Sequence, residues 1–371
     1  MSTTLKALLV VVGLSAVGCI APEASTTSTT ITTTATVPAT TTTVATTTTT
    51  VATATTTEVG MAVGEQIPGK ALWALVPGNS LDADRINLVF APWGWDDLAD
   101  FEAMASGSLS WDGDPYRYGA SGEIVMDSAE ASGAQLGTFA IEPWRSSQDR
   151  FNVWITDVEP ETPVSWLNDG HPPFELSDQS VVVLALDAYR FNSDLTSVAG
   201  LDVFFVGPGP PSRPLEGSPF ANVVVVIDSA NPADGLLHLP HELAHAIFNL
   251  PDEYVGQQVG FDGRGDLSSW PTCADSDSEA DDWWGDLVGD VDPMLDLWVA
   301  QMDDAGFPLF DSDDLAAGVV VSNIDGGCYG VAGSVRATFD SLMNTNIPVL
   351  GSVNRRWAQQ ILDLWDGAPA P

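Results

Sequence analysis

Two histidines and a glutamate stand close together in the segment Pro240-His-Glu-Leu-Ala-His-Ala-Ile-Phe-Asn-Leu-Pro-Asp-Glu-Tyr254. His241 and His245 are four residues apart, so on a helix their imidazoles share one face, one turn apart. Two neutral imidazoles in that geometry can hold one Zn2+. Glu242 follows the first of them, where its carboxylate can reach a water at the metal without displacing it. A carboxylate so placed takes the water's proton and passes one on to a leaving amine. A surface helix with two ordinary histidines would match the same short pattern by chance. In this chain, however, only four histidines occur, and two of them fall in the motif.

Such a helix needs a support, and the apolar runs supply one. Arg85–Ala91, Phe151–Val158, Ser180–Leu186, Asp202–Val206 and Asn222–Asp228 read as buried strands. Their Val-rich continuity suits a central sheet covered on both faces, as in α/β architectures. Helical pattern is present over Asp96–Met104, His241–Phe248 and Asn354–Leu364, and Gly-Pro-rich stretches such as Gly207–Pro214 read as connecting loops. The order of elements points to one α/β domain over residues 61–371 with a looser C-terminal portion.

His241-Glu-x-x-His245 followed by Asp252-Glu253-Tyr254 resembles the HExxH…DEY signature of the IgA-peptidase family of bacterial zinc metallopeptidases, themselves similar to metzincins. The similarity extends from RINLVFAPWGW through FNVWITDV to GCYGVAGSVRATFDSLMN. The position of the motif, just after a Val-rich strand, is also where zincin active-site helices are found. The resemblance implies a single zincin-like catalytic domain with a mixed central sheet, an active-site helix and a Met-turn in the C-terminal portion. It implies a proteolytic zinc site with His241 and His245 as ligands, Glu242 as general base and a third ligand in the DEY stretch, placed here on Asp252.

A catalytic zinc takes three protein ligands and keeps one position open for water. Asp252 is seven residues past His245, out of reach if the helix simply continued. The chain must therefore turn back. Asn249 stands where the family usually has Gly, and Asn is the next residue after Gly to take the left-handed conformation that ends a helix. Pro251 then keeps the helix from resuming. Glu253 is the rival third ligand, with Asp252 in that case a partner to an imidazole. His238 and His171 are more distant rivals. His238 is expected before the helix, because Pro240 suits a first turn rather than an interior, although a helix that starts earlier and kinks at Pro240 is the alternative.

Ser341-Leu342-Met343 resembles the Met-turn that lies beneath the metal in metzincin-like enzymes, with Met343 packing and not coordinating. Tyr254 and Tyr329 are the candidates for stabilising the developing oxyanion, since they lie nearest in sequence to the site motifs. Arg336 can bind a substrate carbonyl or pair with one of many acids. Trp93, Trp95, Trp283 and Trp284 are expected in the core rather than along a binding groove. The acidic stretches Asp275–Asp286 and Asp303–Asp314 are candidates for Ca2+, but they lack EF-hand spacing and read first as solvated loops.

The net charge is −39, from 51 acidic residues against 12 basic ones, which disfavours nucleic acid and anionic membrane surfaces as partners. Residues 1–18 read as a signal peptide that ends in Ala16-Val17-Gly18-Cys19, similar to the lipobox of bacterial lipoproteins. A lipid on Cys19 would leave Cys273 and Cys328 as an even pair and favours a disulfide between them. Residues 19–60 are a Thr-rich spacer too poor in apolar side chains to fold. The expected protein is an extracellular, surface-anchored monomer whose partner is a protein or peptide substrate. Two other classes stay open: a zinc amidase acting on peptidoglycan or modified amino acids, and a binding lipoprotein without catalysis.

Overall fold

A computed structural model describes residues 60–81, 85–120, 124–125, 127–159, 180–186, 223–228, 232–254, 272–309, 311–328, 331, 333–345 and 347–364. The expected signal peptide, the spacer with Cys19, the run Asp202–Val206, His171 and Tyr329 lie outside the described residues, as does the side chain of His238.

A continuous apolar run has no face to give to water, and the second strand shows the consequence. Every residue from Ile86 to Pro92 is buried. In chain order the first strands are β1 (Trp73–Ala74), β2 (Ile86–Trp93), β3 (Tyr116–Tyr118), β4 (Gly133–Gln135), β5 (Phe151–Ile155), β6 (Ser180–Leu186) and β7 (Val223–Asp228). Five of them form one sheet in the order β1-β5-β2-β6-β7, while β3 and β4 pair separately. The main sheet is mixed, as expected: β2 runs parallel to β5, with Ile86 opposite Phe151, and antiparallel to β6, with Asn87 opposite Leu186. The remaining pairs, β6 with β7 and β1 with β5, are antiparallel. Parallel pairing of β2 and β5 requires a crossover, and the connection carries α1 (Leu98–Leu109), whose first turn is capped by Asp97 accepting from the Ala99 N–H at 2.8 Å.

The next helix, α2 (Pro232–Phe248), carries the His-Glu-x-x-His motif. It starts nine residues before His241 and holds both His238 and Pro240 inside it, which corrects the expectation of a start at Pro240. Pro240 has no N–H for the carbonyl four residues back, a loss of about 3 kcal/mol in a helix interior. Packing of α2 against β7, β6 and the C-terminal helices outweighs it, with Leu239, Leu243 and Ile247 buried at helical spacing.

The C-terminal portion contains β8 (Cys273–Ala274), α3 (Asp277–Trp284), α4 (Met294–Asp304), α5 (Ser312–Val319), β9 (Ile324–Asp325), β10 (Val335–Arg336), α6 (Leu342–Thr345) and α7 (Ser352–Leu364). It is less loose than expected. Met294, Trp298, Met302, Leu342, Met343 and Ile361 share one core cluster with Leu88, Phe90, Trp144, Leu243 and Phe248. Its strands form a second sheet in the order β8-β10-β9, each too short to leave a period-two signal in the sequence. Cys273 and Cys328 are bonded, with Cα atoms 6.0 Å apart. No helix among the described residues is long and apolar enough to cross a membrane.

Candidate metal centre

The left-handed residue that ends α2 makes the site. Asn249 has φ 56°, and its N–H donates to the His245 carbonyl at 2.9 Å, the bond of an αL cap. The chain therefore doubles back. The Leu250 carbonyl accepts from Nδ1 of His245 at 2.5 Å, and Asp252 arrives opposite the two imidazoles. On the other side, the Leu342 carbonyl at the start of α6 accepts from Nδ1 of His241 at 2.8 Å. The resembled Met-turn thus touches the site through its backbone, and Met343 is fully buried in the core. The Phe248 carbonyl accepts from Nε1 of Trp357 on α7 at 2.8 Å, which ties the end of the helix to the C-terminal portion.

A carbonyl can only accept, so both Nδ1 atoms carry hydrogen and the neutral imidazoles present lone pairs at Nε2. Those two Nε2 atoms lie 3.1 Å apart. Oδ1 of Asp252 lies 3.0 Å from the first and 3.1 Å from the second. Three acceptors therefore face one another, and His241 and His245 are only 3% and 6% exposed. Only a cation between them resolves that repulsion. Without a metal a proton takes the place: burial draws His245 down, but Asp252, with Glu242 and the Leu250 carbonyl, outweighs it and holds the imidazole up at about 9. Burial raises Asp252, yet the two imidazoles hold it well below the usual carboxylate range. The donor set is two nitrogens and one oxygen, each imidazole oriented through its far nitrogen, and it fits a metal ion.

The structure separates the two acids left open by the sequence. Asp252 points at the imidazoles. Glu253 turns away and is fully buried, its carboxylate accepting from Oγ of Ser341 at 2.5 Å and Nδ2 of Asn354 at 3.0 Å. Glu242 is half-buried on the helix turn between the two histidines. The Tyr254 ring stacks on His241, with centroids 6.1 Å apart and planes at 18°. Burial pushes its phenol well above the ordinary value, with Asp252 and Glu242 adding to the rise, so the hydroxyl stays protonated.

Arg336 departs from expectation. It is 1% exposed, and it donates Nη1 to the Glu253 carbonyl at 2.6 Å, so it serves the site from beneath rather than facing a substrate. Of the four tryptophans expected in the core, Trp284 is fully buried, with Nε1 donating to Oδ1 of Asn323 at 3.0 Å, whereas Trp93, Trp95 and Trp283 are half-buried. The acidic stretches supply helix starts: Asp277 and Glu279 lie in the first turn of α3, and Asp311 caps α5. Among the described residues, His241, His245 and Asp252 are the group of such side chains whose ligand atoms converge, all within 4.8 Å. The roles of Glu253 and Asn354 were not read from the sequence. The available signal was a polar Asn on the buried side of the amphipathic C-terminal helix, where an unpartnered amide would be costly. No model of a known protein family matches the chain, and no curated protein matches it.

Proposed function

We propose that this chain is a zinc-dependent endopeptidase with a zincin-like catalytic domain, related to the IgA-peptidase family that its HExxH…DEY segment resembles. The observation that carries the reading is the meeting of three lone pairs, from the buried His241 and His245 and the partly buried Asp252, beside a glutamate on the same helix turn. Two imidazoles and one carboxylate are a donor set that catalytic zinc takes. Bound there, Zn2+ supplies Lewis-acid polarisation of the scissile carbonyl and acidifies a water near neutral pH.

The chain's own residues do the rest. Glu242 removes the water's proton and delivers one to the leaving amine. Tyr254, kept protonated by burial and by the neighbouring carboxylates, donates a hydrogen bond to the carbonyl oxygen as its charge develops. The Leu250 and Leu342 carbonyls hold both imidazoles in the tautomer that leaves Nε2 free. An extended peptide lies along the open side, where Asp252 keeps 18% side-chain exposure. Export and a lipid on Cys19 would put this activity at the cell surface.

Zinc content and casein hydrolysis, measured on the full chain beside Glu242→Ala, test the reading. One zinc per chain in both, with hydrolysis in the parent alone, is expected. A folded chain that takes up no zinc sinks the proposal. Zinc with cleavage of muropeptides but not of casein would favour the amidase instead.

A further inference from the structure

Resting on the metal reading above, we propose that Glu253 is a positioning residue that locks Asp252 and His241 into one frame. All of its polar groups are engaged. Its N–H donates to the Met343 carbonyl at 2.8 Å, and its own carbonyl accepts from Arg336 at 2.6 Å. Its carboxylate accepts from Ser341 at 2.5 Å and from Asn354 at 3.0 Å. Ser341 and Met343 flank Leu342, whose carbonyl fixes Nδ1 of His241 at 2.8 Å. The residue after one candidate ligand therefore grips both sides of the residue that orients another. Neither can shift alone.

A third layer holds the clamp. Gly327 has φ 107°, and a Cβ there would lie 2.6 Å from Cδ of Arg336 and 3.0 Å from the Glu253 carbonyl oxygen. Glycine is thus required for that approach. Cys328 follows it and is bonded to Cys273, which stands opposite Arg336 in the β8–β10 register. The disulfide, Arg336 and Glu253 form a line of support that ends at Asp252. A fully buried carboxylate is expensive to desolvate, and apolar residues of like volume usually stabilise a core as well or better. What Glu253 provides that they cannot is orientation. Partners of this kind behind metal ligands typically change affinity by about 10- to 100-fold when removed.

The test uses the full chain with Co2+ as the probe, read by its visible bands and by chelator competition. Glu253→Ala is expected to bind Co2+ about 10- to 100-fold more weakly than the parent, with shifted bands. Glu253→Gln, which keeps the shape and one acceptor, should recover most of that loss. Asn87→Ala, on β2, where the buried Oδ1 accepts from Asn152 and Trp154, should lower thermal stability yet keep the parent's affinity and bands. Parent-like Co2+ binding by Glu253→Ala overturns the proposal, and so does an equal loss in Asn87→Ala. If Glu253→Ala does not fold, Ser341→Ala carries the test: weaker binding with shifted bands supports the clamp, and parental binding refutes it. A parent that binds no Co2+ refutes the metal reading itself, so the two failures are told apart by the parent's own titration.

Discussion

The network of Asn79, Asn87 and Asn152 and the group of His241, His245 and Asp252 are both buried polar clusters, and they balance their hydrogen bonds in opposite ways. In the sheet, Nδ2 of Asn79 donates to the Val153 carbonyl at 2.5 Å and its Oδ1 accepts from the Val153 N–H at 3.0 Å. Oδ1 of Asn152 accepts from the Ser80 N–H at 2.8 Å, and its Nδ2 donates to Oδ1 of Asn87 at 3.0 Å. That oxygen also accepts from Nε1 of Trp154 at 2.9 Å, while Nδ2 of Asn87 reaches the Arg85 carbonyl at 3.1 Å. Donors meet acceptors, and the cluster is complete. At the end of α2 three acceptors meet with no donor of their own. A balanced cluster holds a fold, whereas a surplus of acceptors leaves a place that a proton or a metal ion can fill.

The sharpest way to break that contrast is at Glu242. Glu242→Gln should lower peptide hydrolysis by about 10^2- to 10^4-fold, the usual worth of a general acid–base group, while metal content stays at the parent's level. Loss of metal along with activity would instead make Glu242 part of the acceptor group. Next comes the disulfide. Replacing both Cys273 and Cys328 by Ala frees a loop of 55 residues and should destabilise the chain by about 4 kcal/mol in the chain-entropy account, measured by urea unfolding. An unchanged midpoint would show that the C-terminal portion is held by the shared core alone.

The pH dependence tests whether a proton and a metal compete for the same place. His245 is raised to about 9 in the folded, metal-free chain. A raised imidazole stabilises the fold fully below its unfolded value of about 6.5, and the gain is lost as pH rises through the folded value. Metal-free thermal stability should therefore fall between those limits. Metal must displace that proton, so affinity should climb about tenfold per pH unit up to about 9. Affinity that is flat over this range would mean that His245 is already neutral. Smaller again is Asn152→Ala, which leaves buried partners unsatisfied and should cost about 1–3 kcal/mol. Metal affinity should not change, and a loss there would mean that the two clusters are not independent.

How legible each region was follows from how local its physics is. The helix with His241, Glu242 and His245, the turn at Asn249 and the stop at Pro251 are written in consecutive residues. That the chain returns toward the imidazoles follows from them, but which of Asp252 and Glu253 faces the histidines does not. Ile86–Trp93 and Phe151–Ile155 announce burial by apolar composition broken only by Asn87 and Asn152. What pairs with what over distance was not legible. Asn354 reaches Glu253 across 101 residues, and Arg336 reaches it across 83; a lone Asn or Arg in sequence does not name its partner. The early start of α2 was hidden for a related reason, since Pro240 signals a helix start locally and only packing against β7 and β6 overrides it.

The smallest effect probes the step on which the site depends most directly. Asn249 holds φ 56° so that Leu250 and Asp252 return toward the imidazoles. Glycine takes that conformation freely. Asparagine and alanine both set a Cβ against the following carbonyl at about 1–2 kcal/mol, but the short polar asparagine side chain offsets part of that cost by bonding locally, which alanine cannot do. Asn249→Gly should leave unfolding and metal affinity close to the parent's. Asn249→Ala should cost about 1 kcal/mol of stability and lower metal affinity in proportion, because the strain is relieved by opening the turn that carries Asp252. If alanine costs stability without affecting the metal, the clamp at Glu253 rather than the turn sets the position of Asp252, and the geometry of the site is held from the C-terminal portion.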